Sequence, residues 1–295
     1  MIAVEGLVKH FGAATAVDGL SFTASPGRVT AFLGPNGAGK TTTLRVLLGL
    51  ARADGGAATI DGVPYVTLTD PVRRVGAVLE AASGFHPGRT AREHLRVLCD
   101  ATGLPVSRAD EVLVQLGLDN VGGRRVGGFS LGMRQRLALA AALLGDPGVL
   151  VLDEPANGLD PAGIRWLRDT LRALAAQGRT VLVSSHVLSE VAQTVDDVVI
   201  IARGRLVRDA SLDDLLAEAH RGLRVRSPEA ALLAPALRAE GARVTEEPDG
   251  LLHVEDATAA RVGDLCRERG WALHELAPVE ERLEDVFLRL VEEVA

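Results

Sequence analysis

The spacing of apolar residues changes several times along this chain. Over the first 35 residues, short β-rich apolar runs broken by Gly, Asp and Pro predict strands over Ile2–Lys9, Leu20–Ala24 and Arg28–Leu33. Helical spacing then predicts a helix from about Gly39 to Leu50. A strand follows over Arg74–Leu79, with VGAVL at its centre. From about residue 85 to 145 the helical period prevails with no strand between, in Ala91–Ala101, Ala109–Leu116 and Gly132–Leu144. That pattern predicts a helical insertion in an α/β domain. Val149–Leu152 and Thr180–Ser184 are continuous apolar strands flanking a helix at Ala162–Ala176, as a buried parallel sheet requires. Val198–Ala202 and Arg205–Asp209 read as a hairpin through Gly204, and a helix over Leu212–His220 closes this part.

The tail has a different order. It predicts strand Leu223–Arg226, helix Glu229–Glu240, and strands Arg243–Glu246 and Leu251–Glu255 across the turn Pro248-Asp249-Gly250. Helix Ala257–Arg269, strand Trp271–Leu276 and helix Glu280–Glu293 complete it. Strand, helix, strand, strand, helix, strand is the order of a ferredoxin-like unit. The expected organisation is therefore an α/β domain over 1–220, with its helical part at about 85–145, and a small accessory α/β domain over 221–295.

Composition narrows the classes. With 47% hydrophobic and 24% charged residues, the chain is neither disordered nor collagen-like. Cys99 and Cys266 cannot make a disulfide framework and suit a reducing compartment. No apolar run approaches the roughly 18 to 20 residues of a membrane helix. The start, MIAVEG, lacks the flank and core of a secretion signal. A cytoplasmic protein is expected, with any membrane role supplied by a partner. The net charge is −7, and residues 221–295 hold 10 basic against 16 acidic side chains. No broad electrostatic grip on nucleic acid is expected from such a balance.

Two motifs carry chemistry. Gly34-Pro35-Asn36-Gly37-Ala38-Gly39-Lys40-Thr41, continued by Thr42, fits the phosphate-binding pattern G-x-x-x-x-G-K-[ST] between a predicted strand and a predicted helix. Glycines let backbone N–H groups curl around an anion, and the helix start adds donors and a positive dipole end. Lys40 can reach the β- and γ-phosphates, and Thr41 offers a hydroxyl to Mg2+. Only two of the 32 basic residues are lysines, which makes a lysine at this position informative. The second motif is the apolar strand Val149–Leu152 ending in Asp153-Glu154. Asp153 is the candidate to hold Mg2+ and Glu154 the candidate general base for an attacking water.

With these motifs in place, the chain resembles the nucleotide-binding subunits of ABC transporters. Phe129-Ser130-Leu131-Gly132-Met133 resembles the family signature, usually written L-S-G-G-Q; Ser130 and Gly132 match and the other three depart. Asn157-Gly158-Leu159-Asp160 resembles the loop that crosses the family's dimer interface. Ser184-Ser185-His186 resembles the switch region, whose histidine contacts the γ-phosphate. Phe11 stands where the family usually stacks an aromatic on adenine, with Val17 beside it. Glu80 stands where the family usually has a glutamine that meets Mg2+ and the membrane partner. An acid there keeps metal binding but, when ionised, loses hydrogen-bond donation. Glu80 and the F-S-L-G-M signature look like bacterial drug and peptide-antibiotic exporters of the bacitracin and lantibiotic type.

The resemblance covers residues 1–220 and implies a P-loop NTPase core of ABC type with a helical insertion and an antiparallel β subdomain. It implies Mg2+-dependent hydrolysis of ATP, catalysed through Glu154, His186 and Lys40. Nucleotide would be held by the phosphate loop, Phe11 and Val17 of one copy and by Ser130, Gly132 and Asp160 of a second copy. Thr41, Asp153 and Glu80 would be the metal residues. It also implies a separate integral-membrane permease, export rather than import, and a place on the cytoplasmic face of the membrane, without nucleic acid. The competing class is a soluble ABC-type ATPase acting on ribosomes or DNA; such proteins usually carry two cores or a coiled-coil insertion, and this chain has one core and no heptad run. A third class, a regulator that binds ATP without turnover, is opposed by the intact Lys40, Asp153, Glu154 and His186. Arg124, Arg125, Tyr65, Trp166, Trp271 and Cys99 read as solvated or packing residues.

Overall fold

The computed structural model describes residues 1–79, 84–188, 192–219, 222–279 and 283–292. The chain divides into two compact units, one of residues 1–212 with the described residues from 288 onward and one of residues 213–287. The division at Leu212/Asp213 lies ahead of the 220/221 boundary expected from the sequence.

In the first unit, β1 (Ile2–Phe11), β2 (Ala14–Ala24) and β3 (Val29–Leu33) lead into α1 (Lys40–Leu47) and β4 (Gly55–Ile60). A one-turn α2 (Pro71–Arg74) precedes β5 (Val75–Val78). Then come α3 (Ala91–Thr102), α4 (Ser107–Gln115), α5 (Leu131–Ala142), β6 (Val149–Leu152), α6 (Pro161–Ala176), β7 (Thr180–Ser185), β8 (Asp197–Ala202) and β9 (Arg205–Ser211). Two sheets result. One is antiparallel in the order β2-β1-β4; the other runs β5-β6-β7-β3-β8-β9, parallel except for β9. Every position of β3, β6 and β7 is buried, which is why these strands read as continuous apolar runs. One apolar core joins the two sheets, with the Phe22 and Phe32 rings stacked at 4.9 Å. Each large side chain fully buried there is worth about 1.5–3 kcal/mol.

Three elements of the first unit differ from expectation. β4 has the unpromising sequence GGAATI and was not predicted. It forms because it pairs antiparallel with β1, and Gly56, at φ +68°, lets its backbone come within a Cβ's reach of Gly6 O. β2 begins at Ala14 rather than Leu20, because β1 supplies partners as far as Phe11↔Ala14. α2 is a single turn too short for periodicity to reveal, started by Pro71 at its first position.

α7 (Leu212–Ala219) straddles the division. The second unit holds β10 (Leu223–Arg226), α8 (Ala230–Ala239), β11 (Arg243–Glu246), β12 (Leu251–Glu255), α9 (Ala259–Arg269), β13 (Glu275–Pro278) and the start of α10 (Leu283–Glu292). Its sheet is antiparallel in the order β11-β12-β10-β13. Leu223 and Val225 pair with Val254 and Leu252, and these share a core with Leu233, Leu237, Val262 and Leu265 of the helices. The last strand is Glu275–Pro278, not Trp271–Leu276. Gly270, left-handed at φ 70°, caps α9, and Trp271 N–H closes that cap on Cys266 O. Pairing with β10 starts only at Arg226↔Glu275.

Candidate nucleotide site

The buried strand β3 ends at Leu33, the chain turns through Gly34 and exposed Pro35, Asn36 and Gly37, and Gly39 sets α1 going. A Cβ on Gly39 would lie 2.4 Å from Ala16 O, and its φ is +104°. A Cβ on Gly34 would lie 2.5 Å from Ile201 O. Both pattern glycines are thus required by backbone approach. Gly39 is the N-cap of α1 and brings no side chain to cap its first turn. The turn instead borders a cleft of about 220 Å³, lined by Ala16, Asn36, Gly37, Gly39, Lys40, Thr41, Thr42 and Glu154. Lys40 is buried, and its Nζ donates to Gly34 O at 2.6 Å and Pro35 O at 3.3 Å. The same Nζ is 3.4 Å from Glu154 Oε1.

The carboxylates arrive from β6. Asp153 N–H donates to Val78 O at 2.7 Å, continuing the β5–β6 pairing past Leu152. Thr41 Oγ1 donates to Asp153 Oδ2 at 2.8 Å, joining the phosphate-loop helix to the end of β6. Asp153 Oδ1 accepts from Ser184 Oγ, and that hydroxyl also accepts Glu154 N–H at 2.9 Å. Glu154 has φ 48°, left-handed backbone that a non-glycine residue rarely adopts. It points Oε2 at His186 Nδ1, 2.9 Å away. With a carboxylate as acceptor, His186 carries its proton on Nδ1. Gly34 N–H donates to Ser185 O at 3.3 Å, so the end of β7 also touches the phosphate loop.

The remaining expected residues lie elsewhere. Phe11 is 57% exposed at the β1–β2 turn, with Lys9 Nζ 5.2 Å from its ring centre. Asp54 anchors that turn: it accepts His10 N–H at 2.6 Å and Lys9 Nζ at 3.1 Å. The His10 amide and then the Lys9 ammonium hold its carboxyl below the usual range. Val17 is fully buried in the core. Ser130 caps α5, accepting Met133 N–H at 3.2 Å, and Gly132 follows in its first turn. Asp160 caps α6 through Gly163 N–H at 2.7 Å. Ser130, Gly132 and Asp160 do not line the cleft. Glu80 lies outside the described residues.

Two further side chains tie the helices together around the site. The buried Gln135 donates its amide to Pro155 O, tying α5 to the turn after Glu154. A buried polar residue on an otherwise apolar helix face was its signal. Trp166, read as packing, lies under the Arg136 guanidinium, 4.4 Å from ring centre to Cζ, and so links α6 to α5.

A loop of backbone donors with one ammonium, beside two carboxylates that accept hydroxyl and imidazole protons, can bind a polyphosphate and take a proton from water. The hard oxygens of Thr41 and Asp153 fit Mg2+, which takes one or two protein oxygens and completes its shell with phosphate and water.

Residues 17–157 match the ABC transporter family, and residues 221–284 match a domain of unknown function. A bacitracin transport ATP-binding protein of Bacillus licheniformis is 36% identical over 298 residues, 99% of this chain and 97% of that protein. A Nod factor export ATP-binding protein of Burkholderia lata is 36% identical over 297 residues, 98% of this chain and 96% of that one. A lantibiotic transport ATP-binding protein of Streptococcus pyogenes is 34% identical, over 72% of this chain and 92% of its own. The solved ATP-binding subunit of an ABC transporter superposes with TM-score 0.66 at 28% identity, covering 74% of this chain and 92% of the other. The chain belongs to the ABC transporter ATP-binding family and has its ATPase fold. It is an ATP-binding transporter subunit of a family that hydrolyses ATP. Among the described residues, no helix is long and apolar enough to cross a membrane.

Proposed function

We propose that this chain powers export of a drug, antibiotic or lipid-like substrate through a separate membrane permease, from the cytoplasmic face, working as a homodimer. The observation that carries the reading is one connected set of contacts: Lys40 to Glu154, Glu154 to His186, and Thr41 to Asp153. The loop amides and Lys40 hold the phosphates of ATP. Glu154 takes the proton of the attacking water, and His186 Nδ1–H orients the Glu154 carboxylate. Water and ATP give ADP and phosphate. Thr41 and Asp153, with Glu80, would hold Mg2+, which when bound neutralises charge on the β- and γ-oxygens. Ser130, Gly132 and Asp160 serve the second copy's ATP; their position outside this copy's cleft supports that assignment. Phe11 stacks on adenine, and its exposure supports that.

Export of an antibiotic-like molecule is supported by relatives whose names specify bacitracin transport, lantibiotic transport and Nod factor export. α3, α4 and α5, consecutive between β5 and β6, support a helical insertion in an ABC core. The sheet order β11-β12-β10-β13, with helices after β10 and β12, supports a ferredoxin-like second unit.

Glu154→Gln tests the chemistry. Phosphate release is expected to fall by about 10²–10⁴-fold, the usual contribution of a general base, while calorimetry still shows ATP binding. Undiminished phosphate release would sink the assignment. For the partner, tagged full-length chain should co-purify with an integral membrane protein; recovery with ribosomes instead would overturn the transport reading.

A further inference from the structure

We infer that Ser184 is a positioning residue for hydrolysis: its single hydroxyl holds the carboxylate of Asp153 and the backbone amide of Glu154. This rests on the reading of Glu154 as the base. Ser184 is wholly buried on β7, 31 residues from Asp153 in sequence. Its Oγ–H donates to Asp153 Oδ1, and its lone pair accepts Glu154 N–H at 2.9 Å. A hydroxyl is one of the few groups that can do both at once. The two bonds have separate consequences. Asp153 Oδ2 is already taken by Thr41 Oγ1, so the Ser184 bond fixes the remaining freedom of the carboxylate plane. The second bond anchors the amide of a residue at φ 48°, where the backbone otherwise relaxes to a commoner region. Relaxation there would swing the Glu154 carboxylate away from His186 Nδ1 and Lys40 Nζ. The Ser184 hydroxyl is committed to Asp153 and Glu154 while Lys40 is held by Gly34 and Pro35, so it acts on turnover rather than on phosphate binding.

The test compares Ser184→Ala and the near-isosteric Ser184→Cys with wild type in the full chain. Steady-state hydrolysis is measured with Mg2+–ATP, and ADP affinity without Mg2+ by calorimetry. The expected result is a loss in kcat of about 10- to 100-fold, the usual cost of removing a hydrogen bond that orients a ligating carboxylate. KM and ADP affinity are expected to stay within about twofold of wild type, and adding Ser184→Ala to Glu154→Gln to cost less than the product of the two single losses, since part of the Ser184 effect runs through Glu154. Ser184→Cys covers the case in which the alanine variant fails to fold. Wild-type kcat in either folded variant, beside an inactive Glu154→Gln, overturns the inference alone. So does an equal loss of kcat and ADP affinity, or a multiplied loss in the double variant. Full turnover by Glu154→Gln overturns the base reading and the inference with it.

Discussion

Gly39 shows how little freedom single positions have here. Its φ of +104° and the 2.4 Å separation between a would-be Cβ and Ala16 O mean that any side chain must displace backbone. Gly39→Ala is expected to lower stability by about 1–3 kcal/mol, the range for a forced backbone outlier, and to abolish nucleotide binding; urea unfolding and calorimetry check both. Lys40 contrasts with it. Its ammonium is held by two loop carbonyls and by Glu154. Lys40→Ala is expected to leave the fold intact and to weaken ATP binding at least tenfold, measured by fluorescent-nucleotide titration. The identities of both residues were legible in the loop pattern. The need for Gly39 to avoid Ala16, 23 positions earlier by their numbers, was not. No local pattern records which distant carbonyl will lie against a glycine.

Helix starts were the most readable elements. Thr90 opens α3 with a capping box: its hydroxyl accepts Glu93 N–H at 3.2 Å, and Glu93 returns to Thr90 N–H at 2.8 Å. Thr90→Ala is expected to cost about 1 kcal/mol in urea unfolding. The Thr90 amide, and then its hydroxyl, hold the exposed Glu93 carboxyl below its ordinary value of 4.5. A lowered folded-state value gives stability that is present above 4.5 and lost as pH falls through the folded value. The stability gap between wild type and Glu93→Gln should therefore close on acidification; a gap that widens instead would refute the sign. β4 is the opposite case, since its glycines and alanines carry no strand signal and only β1 makes it a strand. The last strand of the second unit shows the same dependence. Trp271–His274 has strand-like composition, yet Gly270 sends the chain through a helix cap before β10 offers any partner.

At the level of the whole chain, the second unit has a core of its own, centred on Val225, Leu252 and Val254. Leu252→Ala is expected to destabilise that unit by about 2–5 kcal/mol, as other large-to-small core changes do, and to leave ATP affinity unchanged. Differential scanning calorimetry with and without ATP tests both statements. Ending the chain at residue 220 is expected to leave basal phosphate release in place; loss of nucleotide binding in a folded truncation would refute the assignment of ATP chemistry to the first unit.

The local sequence determined the phosphate loop, the apolar strand ending in two acids, the caps and most helices, because each depends on neighbours within a few residues. The meeting of Thr41 with Asp153 across 112 positions, the clamp of Ser184 on Asp153 and Glu154, the pairing that makes β4 and the burial of Val17 were decided by the tertiary structure. Those contacts exist only after the sheet has brought strands distant in sequence side by side. Side-chain chemistry can therefore be read along the chain, while its partners are chosen by strand order.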